Sequence, residues 1–323
     1  MPARHRSTHP GTHRTVRRST SRRPVRLLAA VVAVACAVLL FVRFGPAACS
    51  DSDTDRSTAA EQAASAGVSL YQYNLDRGAL ALNSYDYADL QSYGGGLYYE
   101  VDGTVTSLEG VDVSDSQGAV NWSEVKAAGI DFAFIRIGYR GYTEGTISAD
   151  ATAQTNIAQA KAAGLKVGVY FFSQATTEDE AREEAAYAVQ QLDGATLDYP
   201  VVYDLEPDVS DDARTKNLSA DQATANARAF CAAIQQAGYT PMVYLNKADA
   251  TSQFDLSQLQ DYPLWYAEYT DQPSLGFDFA LWQYTSTGSV FGIDGNVDRD
   301  ILFDETKLTV RDSSESPSSS ASS

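Results

Sequence analysis

Histidine is absent from all but the first 13 residues: His5, His9 and His13 are the only three in the 323-residue chain. Cysteine is nearly as scarce, with Cys36, Cys49 and Cys231 the full count and only Cys231 beyond residue 49. No Ser-His-Asp triad, Cys-His pair or His-ligated zinc site can therefore be built in the bulk of the chain. No disulfide can form within the chain beyond residue 49, and only a Cys49–Cys231 bridge could reach into it. Stability must come from a hydrophobic core, which about 200 residues can supply. Positive charge is also missing where it would matter. Nine of the 24 basic residues lie at or before Arg43 and none of the 42 acids lies before Asp51, so residues 51–323 carry 15 basic against 42 acidic residues, a net of −27. Such a domain does not grip nucleic-acid phosphates. A glycine-rich phosphate loop after the first strand is absent too, which argues against nucleotide binding. Acid–base chemistry here falls to carboxylates.

Eight of the 24 basic residues collect in a lead, residues 1–26, followed by the apolar run LLAAVVAVACAVLLFV at 27–42. Sixteen apolar residues are short for a membrane span and suit an export signal or signal anchor, taken as 27–44, with the basic flank left in the cytoplasm. SRRPVRL partly resembles a twin-arginine signal; cleavage near Ala47–Cys49 and a lipid on Cys49 are the alternatives to a retained anchor. The expected location is extracellular or at the cell surface, and the only membrane contact would run through this segment. Residues 45–107 read as a polar linker with short β structure in its Tyr- and Gly-rich half. Residues 307–323, ending RDSSESPSSSASS, read as a disordered tail.

Residues 108–306 are periodic. KAAGIDFAFIRIG, KAAGLKVGVYFFS and QQAGYTPMVYLN share one order: a helix ends in Ala-Gly and a buried strand follows. NWSE, TEDE and SADQ open helices with a capping residue and an acid or amide three positions on. Ala223, Ala227, Phe230, Ile234 and Ala237 form an apolar stripe at spacings of 4, 3, 4 and 3. Strands are expected at 109–114, 131–138, 166–172, 200–206, 240–245, 262–267, 279–284 and 297–302. The first five are joined by helices, and little helix separates the last three. The α/β class follows, as an irregular TIM-like barrel of five α/β units followed by three β-strands; an open doubly wound sheet is the alternative.

In such a barrel the site lies at the C-terminal ends of the strands. YPVVYDLEP at 199–207 is a buried strand finishing in Asp204 and Glu206, which period two puts on one face. Asp112 sits late in the first strand and Asp298 on the eighth, neighbours across the seam of a closed barrel. Each acid also has an ordinary reading. Asp112 can cap the turn before SDSQG, Asp298 can pair with Arg299 or Arg136, and hard cations such as Mg²⁺ or Ca²⁺ favour carboxylate clusters. Four acids at strand ends in a histidine-free barrel weigh more than any one of them, and clustering raises their pKa values, as a general acid requires.

The segments GVDVSDSQGAVNWSEVKAAGIDFAFIRIGYRG, AAGLKVGVYFFSQA, PVVYDLE and LWQYTSTGSVFGIDGNVD, in that order across 109–303, resemble glycoside hydrolase family 25, the Chalaropsis-type lysozymes or 1,4-β-N-acetylmuramidases. The resemblance implies a barrel of five α/β units plus three strands, Glu206 as general acid with Asp204, Asp112 and Asp298 around it, and Tyr170, Tyr203, Trp265 and Gln283 along a sugar groove. Tyr203 alternates with the acids and can face the helices instead, and Trp265 can be core. Phe171–Phe172 stands where the family more often has Tyr-His. The resemblance implies peptidoglycan as substrate, attack by the substrate's own acetamido group with Asp204 stabilising it, no cofactor or metal, and a monomer. The rivals are a wall-binding protein without catalysis on the same barrel and a glycosidase of chitin-like chains. The acid that chitinase-like barrels carry two residues before the D-x-E pair is Val202 here.

Overall fold

A computed structural model describes residues 59–207 and 210–310. Two short helices open it, α1 (Ala59–Ala66) and α2 (Leu70–Asp76), followed by an antiparallel meander of β1 (Leu90–Tyr93), β2 (Gly96–Val101) and β3 (Thr104–Val105). Then come β4 (Leu108–Val113), α3 (Trp122–Ala127), β5 (Phe132–Arg140), β6 (Ile147–Ala149), α4 (Ala153–Ala162), β7 (Lys166–Ser173), α5 (Glu178–Leu192), β8 (Val201–Leu205), α6 (Ala220–Gln236) and β9 (Pro241–Asn246). The last strands, β10 (Leu264–Ala267), β11 (Leu281–Gly288) and β12 (Val297–Leu302), follow without an α-helix between them.

Eight strands close on themselves in the order β4, β5, β7, β8, β9, β10, β11, β12, with β4 pairing both β5 and β12, so the open doubly wound alternative is excluded. All neighbours are parallel except β12, which runs antiparallel to β11 and to β4. The fifth α/β unit lacks its α-helix: after β9 the chain makes a π-helical turn at Asp249–Gln253 and a 3₁₀ turn at Leu256–Gln258. The expected helix starts are present, with Asn121, Thr177 and Ser219 accepting from the backbone N–H groups of Glu124, Glu180 and Gln222. Gly129, Gly164 and Gly238, the glycines of the repeated Ala-Gly endings, all take positive φ. The α6 stripe is buried from Ala223 to Ile234, whereas Ala237 is the exposed cap of the helix.

Two apolar layers hold the wall. Inside, Phe132, Phe134, Met242, Trp265, Leu281 and Leu302 fill the barrel. A Cβ added at Gly110 would stand 2.1 Å from the Phe132 ring and one at Gly168 2.3 Å from the Phe134 ring, so these glycines make the room in which the phenylalanines plug the interior. Outside, the helices bury Val111, Ile135, Val169, Tyr203 and Phe230.

Residues 59–107 hold the short β structure expected in their Tyr- and Gly-rich half, as β1–β3, but they are not a linker. They form the two helices and the meander, and they cover the outer face of the three strands that lack helices. Leu82 bridges Phe277, and the Asn74 amide donates to Asp255 at 2.8 Å. Tyr85 stacks on Phe303 at 4.3 Å and donates its hydroxyl to the Phe279 carbonyl at 3.0 Å. The apolar residues of this segment, Leu80, Tyr85 and Tyr99 among them, do for β10–β12 what α3–α6 do for the rest of the wall. At the other end Leu308 is buried, so the folded chain continues past residue 306. The basic lead, the apolar run of 27–44 and the tail beyond residue 310 lie outside the described residues. Among the described residues no helix is long and apolar enough to cross a membrane.

Candidate active site

At the C-terminal mouth of the parallel strands lies a pocket of ≈ 180 Å³, lined by Asp112, Asp204, Glu206 and Asp298 together with aromatic and amide side chains. The sheet register explains the gathering. Asp112 on β4 stands directly opposite Asp298 on β12. Because β12 is antiparallel, it is the beginning of that strand, not its end, that reaches the mouth. Asp204 on β8 lies beside Phe172 on β7 and Tyr244 on β9. Glu206 follows the last residue of β8, and its backbone carbonyl accepts from the Gln174 amide at 2.9 Å. Gln174 is buried and accepts in turn from the Thr215 hydroxyl at 2.7 Å, so the strand end carrying Glu206 is clamped from the neighbouring strand.

The ordinary readings of the acids are not what this geometry shows. Ser114, not Asp112, caps the turn Asp115–Gln117. Arg299 turns to the outer face and pairs with Glu109 at 2.7 Å, while Arg136 pairs with Asp115 at 2.6 Å and Asp150 at 2.9 Å. Among the described residues, Arg136 is the one base in the pocket lining, and two other acids already hold it. The four pocket carboxyls are thus left facing one another. Burial pushes Glu206 up, with the Asp298 charge adding to it. Asp204 is pushed well up by burial and then by Glu206 and Asp112, against some relief from Arg136. Asp112 rises by burial and the Asp298 charge, while a hydrogen bond donated by the Gln283 amide at 2.7 Å opposes the rise. Asp298 rises by burial. A site of this kind holds protons on carboxyls at pH values where free carboxyls have lost them.

Of the expected groove residues, Tyr170, Trp265 and Gln283 line the pocket. Tyr203 does not. Period two turns it away from Asp204 into the helix layer, where it is fully buried and meets Phe230 at 5.2 Å between ring centroids. Trp265 belongs to both descriptions, 2% exposed yet part of the lining. Sequence reasoning missed Arg136, Tyr244 and Tyr269. A single arginine inside FAFIRIG, sharing its face with Phe132 and Phe134, was a usable signal for the first, and the alternation of Met242 with Tyr244 for the second. Tyr269 sits in a loop without periodicity; its hydroxyl and that of Tyr244 both donate to the Gln283 carbonyl, at 2.9 and 3.1 Å, which orients the amide toward Asp112. Among the described residues no group of three or more His, Cys, Asp or Glu is arranged to hold a metal ion. Cys231 is buried and free on α6, and Cys49 lies outside the described residues.

With this geometry in place, comparison with known proteins is informative. The family model described as Glycosyl hydrolases family 25 matches residues 111–293. The Autolytic lysozyme of Clostridium acetobutylicum is 30% identical over 194 residues, covering 60% of this chain and 55% of that protein. Lysozyme M1 of Streptomyces globisporus is 30% identical over 206 residues, covering 60% of this chain and 67% of that protein. The solved structure of the bacterial lysozyme from Streptomyces coelicolor superposes with a TM-score of 0.51 at 25% identity, over 62% of this chain and 94% of that one. The chain thus spans little more than half the length of the Clostridium protein.

Proposed function

The chain belongs to the glycosyl hydrolases of family 25, and from that premise we propose that it is a muramidase acting on peptidoglycan outside the cell. It hydrolyses the β-1,4 bond between N-acetylmuramic acid and N-acetylglucosamine. The observation that carries this reading is the pocket itself: four carboxyls from β4, β12 and the end of β8 at the barrel mouth, none with a basic partner of its own among the described residues. Glu206, whose proton burial and Asp298 retain, protonates the glycosidic oxygen as it leaves. Asp204, two residues back on the same face, stabilises the acetamido group of the sugar as its oxygen attacks the anomeric carbon. Asp112, held by Gln283, and Asp298 orient sugar and water. Tyr170, Trp265 and Tyr244 supply the apolar faces a pyranose ring stacks on. The relatives' names, autolytic lysozyme and lysozyme, support the same substrate. Export through residues 27–44 would bring the enzyme to it.

The test is mass analysis of the fragments released from purified peptidoglycan. New reducing ends at N-acetylmuramic acid, absent with the Glu206→Gln variant, are the expected result. Reducing ends at N-acetylglucosamine would assign a different glycosidase. Binding without fragments would make this a wall-binding barrel.

A further inference from the structure

Asp300 has no part in the reading above, and it has no exposed surface. It follows Asp298 by two residues on β12 and so shares the inward face of that strand. The register sets it opposite Gly110 on β4 and Gln283 on β11, one step deeper in the barrel than the Asp112–Asp298 pair. Its Oδ1 accepts the indole N–H of Trp265 at 2.9 Å. Its Oδ2 is buried without a hydrogen-bond partner. Among the described residues no base pairs with it, since Arg299, its chain neighbour, points outward to Glu109. The titratable groups that act on it are Asp112 from β4 and Asp298 from its own strand on the inward face, with Glu109 and Tyr284 acting from the outward face of β4 and β11. A carboxylate placed there would be desolvated among further acids; the neutral acid avoids that cost. Burial, then Asp112 and Asp298, raise its pKa well above the usual carboxyl range.

The group it holds is central to the pocket. The Trp265 ring lies 5.1 Å from Tyr244 and 6.3 Å from Tyr170, both edge to face, and 4.9 Å from Phe134 beneath. Tyr244 and Tyr170 line the pocket beside Asp204 and Glu206.

We propose that Asp300 is a positioning residue for the cleavage site: as an uncharged carboxylic acid it fixes the Trp265 indole, and through that ring the tyrosine faces that form the floor under the bound sugar. This rests on the muramidase reading for its substrate, but not for its effect on the ring. An amide preserves the acceptor and the shape; an aliphatic side chain does not.

The experiment compares Asp300→Asn, Asp300→Leu and Trp265→Phe in the full chain. It measures kcat and KM on soluble peptidoglycan glycan fragments from pH 4 to 9, and near-ultraviolet circular dichroism without substrate. Asp300→Asn retains an oxygen for the indole N–H, so kcat and KM at the optimum stay within about threefold of wild type and the dichroism is unchanged. Asp300→Leu leaves the indole N–H unpaired, so KM rises about tenfold or more, with a smaller change in kcat and an altered aromatic spectrum. Trp265→Phe reproduces the rise in KM, and combining it with Asp300→Leu adds little further. Equal impairment of the Asn and Leu variants would overturn the proposal, because the carboxyl's proton or charge would then matter rather than its acceptor. So would wild-type KM and dichroism in Asp300→Leu. Should the Leu variant fail to fold, wild-type KM in Trp265→Phe is the overturning result. A wild-type protein that releases no glycan fragments refutes the muramidase reading alone; the dichroism of the Asn and Leu variants then decides the positioning of Trp265.

Discussion

Asp249 offers a direct measure of what burying acids beside the pocket does to this fold. It begins the π-helical turn after β9, is 5% exposed, and accepts the Asn246 N–H at 3.1 Å. Burial first, and the Glu206 charge after it, push its pKa up to about 7 from an ordinary 3.8, against that hydrogen bond. The folded value lies above the unfolded one, so the neutral form is the one the fold favours. The stability linked to it is fully present below pH ~4 and is lost as pH rises through about 7. The rise from 3.8 to about 7 corresponds to about 4 kcal/mol, and the part falling between pH 5 and pH 7 to about 2 kcal/mol. Asp249→Asn keeps an oxygen for the Asn246 N–H and removes the titration. Urea unfolding of wild type and variant, followed by tryptophan fluorescence at fixed ionic strength, should therefore diverge as pH rises. Wild type loses about 2.5 kcal/mol more than the variant between pH 5 and pH 7.5. The other buried acids titrate in both proteins and cancel in the difference; the coupling to Glu206 is removed by repeating the pair in a Glu206→Gln background. Parallel pH dependences, differing by less than about 0.5 kcal/mol, would refute the argument that Asp249 is held neutral.

Glu206→Gln should reduce peptidoglycan cleavage by about 10²–10⁴-fold with folding unchanged, measured as the initial rate of wall clearing beside circular dichroism. Asp298→Asn removes the charge that raises Glu206, so the alkaline limb of the pH–rate profile should move to lower pH; a limb that stays in place would separate Asp298 from the general acid. Treatment with EDTA should leave the rate intact, and loss restored by added Ca²⁺ would point to a metal role for the carboxyls. Tyr85→Ala removes a ring stacked on Phe303 and the hydroxyl bond to Phe279, and should cost about 2–3 kcal/mol in urea unfolding while leaving pocket residues in place.

Much of the barrel was legible because its signals are local. A cap, an apolar stripe and a left-handed glycine each lie within a few residues of the element they shape, and Asn121, Ser219, Gly129 and Gly238 act as read. Period two placed Asp204 and Glu206 on one face, and the same rule, followed strictly, turned Tyr203 outward. Less legible was everything decided by distant partners. That β12 runs antiparallel depends on the length of the β11–β12 connection and on β4 being free to accept it at the seam. The helix missing from the fifth unit follows from the sequence ATSQFDLSQLQ, whose Asp255 draws the chain into a 3₁₀ turn by accepting the Ser257 N–H. The linker reading of residues 59–107 was the largest miss, although the short β structure expected in their Tyr- and Gly-rich half is present as β1–β3. Their polar composition at 51–67 hid a sparse set of apolar anchors, Leu80, Tyr85 and Tyr99, and the tyrosines' partners Phe279 and Phe303 lie some 200 residues away in sequence.

Those anchors bear on the site as well as on the wall. The bare strands β10–β12 supply Trp265, Gln283 and Asp298, three of the eight residues named in the proposed chemistry, and Asp300 beneath them. A sheet face without helices would leave Phe279, Trp282 and Phe303 in water and let these strands shift against β4. The N-terminal segment prevents both. It packs Tyr85 and Tyr99 on Phe303, at 4.3 and 5.3 Å between centroids, and it reaches the strand carrying the acids through Arg299. That guanidinium, between Asp298 and Asp300 in sequence but on the opposite face, is held by the Glu109 carboxylate at 2.7 Å and by the Gly95 carbonyl of the meander. Glu109 in turn accepts the Leu97 N–H at 3.1 Å. The outward residue of β12 is thus fixed by the segment before the barrel, and in a pleated strand fixing the outward residue fixes the two inward neighbours that flank it. The register of Asp298 opposite Asp112 is therefore secured from outside the barrel, by residues that a reading confined to 108–306 would set aside.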